Sequence, residues 1–379
     1  YHAAERLIEA ADWVVWQLSG VETRNTCTAG YKAIYQDGTF PARDYLAALH
    51  PDLADVVDTK MKRDLAPLGD KAGELTEEAA RWTGLRPRIA VAVANVDAHV
   101  TVPAARVTDT GVMVMIMGTS TCHMVMDDTL AEVPGMCGVV DGGIIPGLYG
   151  YEAGQSGVGD IFAWFVDNAV PPEYHAAAER AGMNLHAYLE AEAAKQKPGE
   201  HGLLALDWWN GNRSVLVDVD LSGLLIGATL ATRAPDIYRA LIEATAFGTR
   251  VIIESFETSG VPIKEIVAAG GLPEKNKLLM QIYADVTGRE FRVIGSTQGP
   301  ALGSAMHAAV AAGAYPDIQA AAEKMGKLKD EVFRPIAGHM PVYDRLYAEY
   351  VTLHDYFGRG ENDVMKRLRA IRNEARGLS

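Results

Sequence analysis

Residues 111–128 read GVMVMIMGTSTCHMVMDD, two apolar runs separated by a glycine and three hydroxyl side chains. Apolar runs on both sides of a Gly-containing corner predict two β-strands joined by a turn. The corner consists of Gly118, Thr119, Ser120 and Thr121. An ordinary β-turn explains these residues as well as a phosphate-binding site does, so the fold around the corner has to decide between the two.

The segments that follow define the fold class. Residues 142–168, GGIIPGLYGYEAGQSGVGDIFAWFVDN, predict a third strand, a Gly-rich loop and a helix. Apolar residues at helical spacing predict a long helix over 235–260. Strand and helix patterns then alternate in EIVAAGG, PEKNKLLMQIYADVTG, EFRVI and GPALGSAMHAAVAAG. The order βββαβαβα predicts an α/β fold with a mixed sheet covered by helices on both faces.

Two common nucleotide-binding patterns are missing from the sequence. The glycines of GQSGVGD, residues 154–160, do not have the spacing of a dinucleotide-binding fingerprint, and no G-x-x-x-x-G-K-[ST] loop occurs. The chain begins instead with an amphipathic helix predicted over residues 3–20, ending at Gly20. A buried strand is predicted in RIAVAVANVDAH, residues 88–99, ending in Asn95 and Asp97.

Length and composition limit the classes of function. A chain of 379 residues is expected to form two domains with a cleft between them, where small molecules bind. The formal net charge of −14 disfavours a nucleic-acid partner. Three cysteines without metal-ligand spacing indicate neither a disulfide framework nor a zinc site and favour a cytoplasmic protein. No apolar run is long enough for a membrane span, so no membrane partner is expected.

Three Gly-containing corners follow successive elements of the predicted sheet, at residues 118–121, 154–159 and 270–276. In open α/β sheets, ligands bind beyond the strand ends, and free N–H groups at helix N-termini attract phosphate. Gly270 and Gly271 would allow a ligand to approach the backbone, and the Asn276 amide suits a purine or ribose edge. The alternative for this last corner is a simple strand-to-helix turn.

Asp97 is the candidate general base, because partial burial at the end of an apolar strand would tune its pKa for that task. Its alternative is an ordinary helix N-cap. His99 and His123 have no partner at metal-ligand spacing, and His307 lies in a small-residue helix where packing explains it.

Longer motifs make the pattern recognisable. Residues 223–243, GLLIGATLATRAPDIYRALIE, are similar to the second signature of the FGGY family of carbohydrate kinases. Gly227, Asp236, Ala240 and Glu243 match it, and Ala228 stands where a larger aliphatic residue is usual. AAGGLPEKNKLLMQIYADVTG resembles the family's adenosine motif and MGTST its phosphate motif. The resemblance implies an actin/hexokinase-like fold, in which two ribonuclease-H-like domains close on a cleft.

The resemblance also implies an activity and a set of site residues. The chain is expected to transfer the γ-phosphate of ATP to a ketopentose, L-ribulose, with Mg²⁺ bridging the phosphates. Asp97 matches the catalytic base, and Lys32 and Glu152 match sugar-binding positions. The alternative is that Lys32 is an exposed surface cation and that Glu152 forms an ion pair at a loop. ATP would contact six positions: Gly118, Thr119 and Ser120 at the phosphates, and Gly270, Gly271 and Asn276 at the adenosine.

The domain limits follow from the same resemblance. Residues 1–106 match the end of the first, sugar-binding domain, and residues 107–379 match the second, ATP-binding domain. The Gly- and Thr-rich phosphate hairpin that opens the family's first domain has no counterpart before residue 100, so we expect the first domain to be truncated at its N-terminus and residues 1–379 alone not to phosphorylate sugar. A kinase for another ketose or polyol and a non-catalytic nucleotide sensor remain alternatives. The oligomeric state stays open, with a homodimer as one assembly.

Overall fold

The computed structural model of the chain describes residues 1–61 and 64–378. Its first part is mainly helical, with a small two-stranded antiparallel sheet. The α-helices here are α1 (Ala10–Ser19), α2 (Thr26–Ala33), α3 (Arg43–Leu49), α4 (Val56–Lys60), α5 (Glu77–Thr83) and α6 (Asp97–Ala104). A 3₁₀ turn lies at Pro51–Leu53, and strands β1 (Lys71–Glu74) and β2 (Ala90–Ala92) form an antiparallel pair.

The second part is built on a seven-stranded sheet. Its strands are β3 (Val112–Met117), β4 (Thr121–Asp127), β5 (Gly138–Asp141), β6 (Tyr149–Gln155), β9 (Glu265–Ala269), β10 (Phe291–Ile294) and β11 (Leu328–Phe333). They lie in the order β11-β10-β9-β3-β4-β6-β5. Neighbours β10, β9 and β3 are parallel, and the other neighbouring pairs are antiparallel. The predicted mixed sheet is therefore confirmed, with β5 and β11 as additional edge strands.

Helices surround this sheet. They are α7 (Gly159–Asn168), α8 (Pro172–Arg180), α9 (Leu185–Ala193), α10 (Ala234–Thr258), α11 (Gly271–Lys275), α12 (Lys277–Thr287), α13 (Gly299–Ala311), α14 (Ile318–Met325), α15 (Met340–Gly358) and α16 (Val364–Ala375). A short pair of strands, β7 (Leu204–Leu206) and β8 (Leu224–Ile226), stands apart from the sheet. The long helix predicted over 235–260 is confirmed as α10. Within the described residues, no helix combines the length and the apolar character needed to cross a bilayer.

Both faces of the sheet are covered, and β3 shows why its sequence is continuously apolar. Met113, Met115 and Met117 belong to the core between the sheet and helices α7, α10 and α12. Val114, on the opposite face, packs in the core formed with helices α6, α13 and α14. Alternate residues of a strand point to opposite faces, so a strand buried on both sides needs apolar residues throughout.

Helix α6 packs tightly against α13. A Cβ added at Gly303 would lie 1.7 Å from the carbonyl oxygen of Val100, and one added at Gly299 would lie 2.8 Å from Cγ2 of Thr101. The two glycines therefore let the helix backbones approach. This contact fixes the helix that begins at Asp97 against the second part of the chain.

Two predicted elements in the first part were wrong in extent. The first helix begins at Ala10, because the N–H of Leu7 bonds the carbonyl of Lys60 at 3.0 Å and holds the preceding residues against α4. The segment around residues 88–99 forms only the three-residue strand β2, which is half-buried in a two-stranded sheet. Gly20 does close α1, with φ of 72°.

Candidate active site at the rim of the sheet

The hydroxyl corner is joined to the Gly-rich loop. The carbonyl of Gly118 accepts from the N–H of Gly159 at 3.0 Å, and the carbonyl of Thr119 accepts from Val158 at 2.9 Å. A Cβ added at Gly159 would lie 2.6 Å from the Gly118 oxygen, so only glycine permits this approach. Thr119 remains exposed beside the first residues of α7.

The third corner, residues 270–276, lies beside the end of β3 and so beside the first corner. Gly270 has φ of 99°, and a Cβ there would lie 2.3 Å from the carbonyl oxygen of Met117, the last residue of β3. The three corners therefore lie together at one rim of the sheet. At Gly271 no heavy atom lies within 4 Å of the Cβ position, so a ligand has open access to this turn.

Asn276 has a structural task in the described fold. It is 6% exposed, and its Oδ1 accepts the N–H of Leu279 at 2.8 Å as the N-cap of α12. This bond satisfies one of the free N–H groups of the helix. The Asn276 side chain is therefore engaged within the fold, and the expected adenosine contact stays a prediction.

Asp97 is the first residue of α6, and its side chain is exposed. Its Oδ1 accepts the N–H of Ala98 at 2.9 Å, while Val96 occupies the N-cap position. The expected partial burial was wrong, because β2 ends at Ala92 and Asp97 lies five residues beyond it, at the exposed start of α6. The alternative that Asp97 is the N-cap was also wrong, because Asp97 is the first residue of the helix and lies one position after the N-cap. An exposed carboxylate at a helix N-terminus is accessible to a substrate.

Lys32 lies in the last turn of α2, and its Nζ lies 2.9 Å from Oε2 of Glu9. This hydrogen bond is the main cause of a raised pKa of Lys32, and the negative charge of Asp97 raises it further. Asp97 thus lies within electrostatic range of Lys32. Lys32 also lines a cavity of about 300 Å³ together with Glu9, Asp12 and Asn25.

Glu152 lies on β6 and is largely buried. Its Oε2 lies 3.3 Å from Nε2 of His99, and its Oε1 accepts a hydrogen bond from the guanidinium of Arg213. Burial raises the pKa of the Glu152 carboxyl, but the hydrogen bonds and charges of His99 and Arg213 outweigh it, so the pKa is lowered. Glu152 is therefore held as a carboxylate, and the predicted ion pair coexists with a candidate role in binding.

Tyr31 connects these elements. Its ring centroid lies 4.5 Å from that of His99, and its hydroxyl donates to the carbonyl of Gly150 at 2.5 Å. A Cβ at Gly138 or Gly143 would lie within 3 Å of the Tyr31 ring, so glycines make the slot that holds it. Helix α2, helix α6 and strand β6 are tied together in this way, which brings Lys32, Asp97 and Glu152 to one region.

Three residues of this region were missed or undervalued from the sequence. Arg213 lies in the loop after β7, 61 positions from Glu152, and no motif marks it. Tyr31 directly precedes the candidate Lys32, and this position was the only feature of the sequence that could have indicated its role. His99 was set aside because it lacks a metal-binding partner, whereas its place two residues after Asp97 was the available signal.

The acidic residues of the 223–243 signature have structural tasks. Asp236 accepts the N–H of Arg233 at 2.7 Å at the start of α10. Glu243 is 2% exposed and accepts from Arg239 Nε at 2.8 Å and from the Tyr343 hydroxyl at 3.0 Å. Its other oxygen lies 3.0 Å from Nε2 of His201. The signature therefore specifies the anchoring of α10.

His123 and His307, the other two histidines considered from the sequence, are packed in the interior. Burial lowers the pKa of His123 to about 3 and that of His307 to about 4, so both are neutral. Within the described residues, no group of three His, Cys, Asp or Glu side chains is placed to hold a metal ion.

Comparison with known proteins identifies the family. The sequence profile of the FGGY family of carbohydrate kinases, C-terminal domain, matches residues 113–312. The chain belongs to this family, as its motifs predicted. Its relatives include the ribulokinase of Mycolicibacterium smegmatis, 58% identical over 99% of this chain and 66% of the relative. The ribulokinase of Halalkalibacterium halodurans is 56% identical over 98% of this chain and 67% of the relative. The chain thus spans about two thirds of their length.

A solved structure supports the fold. The ligand-bound xylulose kinase of Lactobacillus acidophilus superposes with a TM-score of 0.78 over 94% of this chain and 69% of that chain, at 17% sequence identity. The predicted actin/hexokinase-like class of fold is confirmed.

Proposed function

We propose that this protein transfers the γ-phosphate of ATP to a ketopentose, and that the ketopentose is L-ribulose. The curated relatives named ribulokinase support the choice of sugar. The observation that carries the proposal is the arrangement along β6. Glu152 lies three residues before Gln155, which pairs with Thr121 of the hydroxyl corner. Three residues of a strand span about 10 Å, so a sugar at Glu152 and a phosphate at the corner would be neighbours.

In this proposal, Asp97 accepts the proton of the sugar hydroxyl that attacks the γ-phosphorus. Its exposure leaves room for the hydroxyl, and its place at the start of helix α6 holds it at the surface where the sugar would approach. Lys32 and Glu152 would orient the other hydroxyls of the sugar. Positioning and charge neutralisation are the main requirements of phosphoryl transfer, which these groups can supply.

The nucleotide would occupy the rim of the sheet. Gly118, Thr119 and Ser120 offer backbone and hydroxyl groups to its phosphates, and the open turn at Gly270 and Gly271 fits the close approach of adenosine. Mg²⁺ would neutralise phosphate charge during the transfer. Because the described residues hold no metal-binding cluster, most of its ligands would be phosphate and water oxygens, as is common for this ion.

The division at residue 106 belongs to the same proposal: residues 1–106 would carry the sugar side of the cleft and residues 107–379 the nucleotide side. Helix α6 joins the two, since it carries Asp97 and packs against α13. A homodimer and a cytoplasmic location also remain predictions.

The test is sugar-dependent ADP release by the protein at its full natural length, with the phosphorylated sugar identified by mass spectrometry. The panel is L-ribulose, D-ribulose, D-xylulose and glycerol. We expect kcat/KM to be highest with L-ribulose. If kcat/KM is higher with another compound of the panel, that compound replaces L-ribulose as the proposed substrate. ATP hydrolysis that no sugar stimulates would favour a nucleotide sensor or ATPase.

A further inference from the structure

Arg213 connects the candidate sugar site to two cysteines. Its Nε donates to Sγ of Cys137 at 3.0 Å, and its Nη1 donates to Sγ of Cys122 at 3.6 Å. Its Nη2 donates to Oε1 of Glu152. The guanidinium is planar and its donors point in fixed directions, so a change at one sulfur alters the direction of the bond to Glu152.

The backbone around Arg213 leaves little freedom for a different position. A Cβ added at Gly154 would lie 2.8 Å from Nη1 and 2.9 Å from Cζ of Arg213, so the guanidinium lies directly against β6. The N–H of Gly154 also donates to the hydroxyl of Ser214, the next residue in the loop, at 3.2 Å. The loop that carries Arg213 is thus anchored on the strand that carries Glu152.

The three cysteines differ in their access to solvent. Cys27 is buried, and burial raises its pKa to about 12. Cys122 is half-buried beneath Arg213, and burial raises its pKa as well. Cys137 is exposed. A reagent from solvent therefore meets Cys137 before either of the other two thiols.

A disulfide between Cys122 and Cys137 does not fit the sheet. Cys122 pairs with Gly154 from the β4 side of β6, whereas the N–H of Cys137 bonds the carbonyl of Glu152 from the opposite, β5 side. Two strand spacings are about 9.6 Å, beyond the roughly 7 Å at which two Cα atoms can still be bridged. Reaction at Cys137 must then involve a small molecule from solvent.

We propose that Cys137 is a thiol-modification site that controls sugar binding through Arg213. The reactant is a low-molecular-weight disulfide. The Cys137 thiolate attacks one sulfur, a mixed disulfide forms, the S–S bond of the reagent breaks, and its other half leaves as a thiolate that takes up the proton of Cys137. No net oxidant is required beyond the disulfide itself.

The added group has to share space with the guanidinium. The Cys137 sulfur lies in hydrogen-bond contact with Nε of Arg213, so a substituent on it displaces Nε or turns the guanidinium. Glu152 then loses the direction of its bond to Nη2 and keeps only His99 as a fixed partner. The effect on sugar rests on the proposed function, in which Glu152 orients a sugar hydroxyl.

The experiment uses 2-hydroxyethyl disulfide, a small neutral reagent, on the full-length protein. Intact-mass and peptide analysis locate the adduct, and calorimetry measures the affinities for L-ribulose and for ATP. We expect one adduct at Cys137, an L-ribulose Kd about tenfold or more higher, an ATP Kd within about twofold, and reversal by dithiothreitol. The matched control is Cys137→Ser, compared with its own untreated sample, which should show no change with the reagent.

Three results would overturn the inference: no adduct at Cys137, an adduct with unchanged L-ribulose affinity, or an equal loss of affinity in treated Cys137→Ser. Glu152→Gln separates this inference from the proposed function. If Glu152→Gln itself weakens L-ribulose binding while the Cys137 adduct does not, only the thiol site is wrong. If Glu152→Gln binds L-ribulose as tightly as the unmodified protein, the sugar-binding role of Glu152 is wrong, and the inference with it.

Discussion

Replacement of Gly303 by alanine tests whether the contact between α6 and α13 positions Asp97. The new Cβ would lie 1.7 Å from the Val100 oxygen, whereas real Cβ contacts stay above 3.0 Å, so α6 has to move by about 1.3 Å. Overpacking of this kind costs roughly 1–3 kcal/mol, and alanine returns about 1 kcal/mol through its helix propensity. The expected net loss of folding stability is about 0–2 kcal/mol.

The effect on catalysis should be larger than the effect on stability. Val100 lies one helical turn after Asp97, and a misplacement of about 1 Å at a reacting group can lower the rate roughly 100-fold. Urea denaturation measures the stability of Gly303→Ala, and ADP release at saturating ATP and L-ribulose measures its kcat. Gly338→Ala is the matched control, because no atom lies within 4 Å of its Cβ position. A Gly303→Ala enzyme that folds and keeps the kcat of the control would refute the positioning argument.

Other substitutions probe the sugar site, the α10 anchor and the buried histidine. Lys32→Ala and Glu152→Ala should each raise the KM for L-ribulose and leave the KM for ATP unchanged; an unchanged sugar KM in both would remove them from the site. Glu243→Ala leaves the buried Arg239 guanidinium without its carboxylate partner and should cost about 3–5 kcal/mol in urea denaturation, whereas a loss below about 1 kcal/mol would contradict the buried network. Burial lowers the pKa of His307 to about 4, so the unfolded chain binds a proton below about pH 6.5 that the folded protein does not. Stability should therefore fall by about 3 kcal/mol between pH 6.5 and 4, and a stability–pH slope that is the same in His307→Leu would contradict this assignment.

The parts of the fold that could be predicted are those with strong periodicity. Strand β3 is apolar on both faces, and α10 keeps one pattern over its 25 residues, so neighbouring structure does not alter their type. Strands β5 and β11 were missed for the opposite reason. The first has four residues, and the second, LKDEVF, carries charges at the sheet edge, where such residues prevent unwanted pairing. The start of α1 depends on a distant bond from Leu7 to Lys60, which no local pattern contains.

Some residues of the candidate site could likewise be predicted from the sequence, and others could not. Gly118 and Gly270 could be found because glycine is common at corners between regular elements; the structure shows a close contact that requires glycine at Gly270, whereas a Cβ at Gly118 would have room. The partners of Glu152 could not be found. Arg213 lies in an irregular loop, and His99 acquires its importance only when α6 packs beside β6. Electrostatic partners depend on the folded arrangement, which spacing along the chain does not specify.

The central claim is that Asp97 is the base for phosphoryl transfer to L-ribulose. It is tested by comparing Asp97→Asn with the unmodified full-length protein for L-ribulose-dependent ADP release, together with calorimetric affinities for ATP and L-ribulose. The account predicts a kcat lower by roughly 10²- to 10⁴-fold with both affinities nearly unchanged. A loss of only two- or three-fold, on the order of 0.5 kcal/mol in the barrier, would contradict it and leave Asp97 as a residue that stabilises the start of α6.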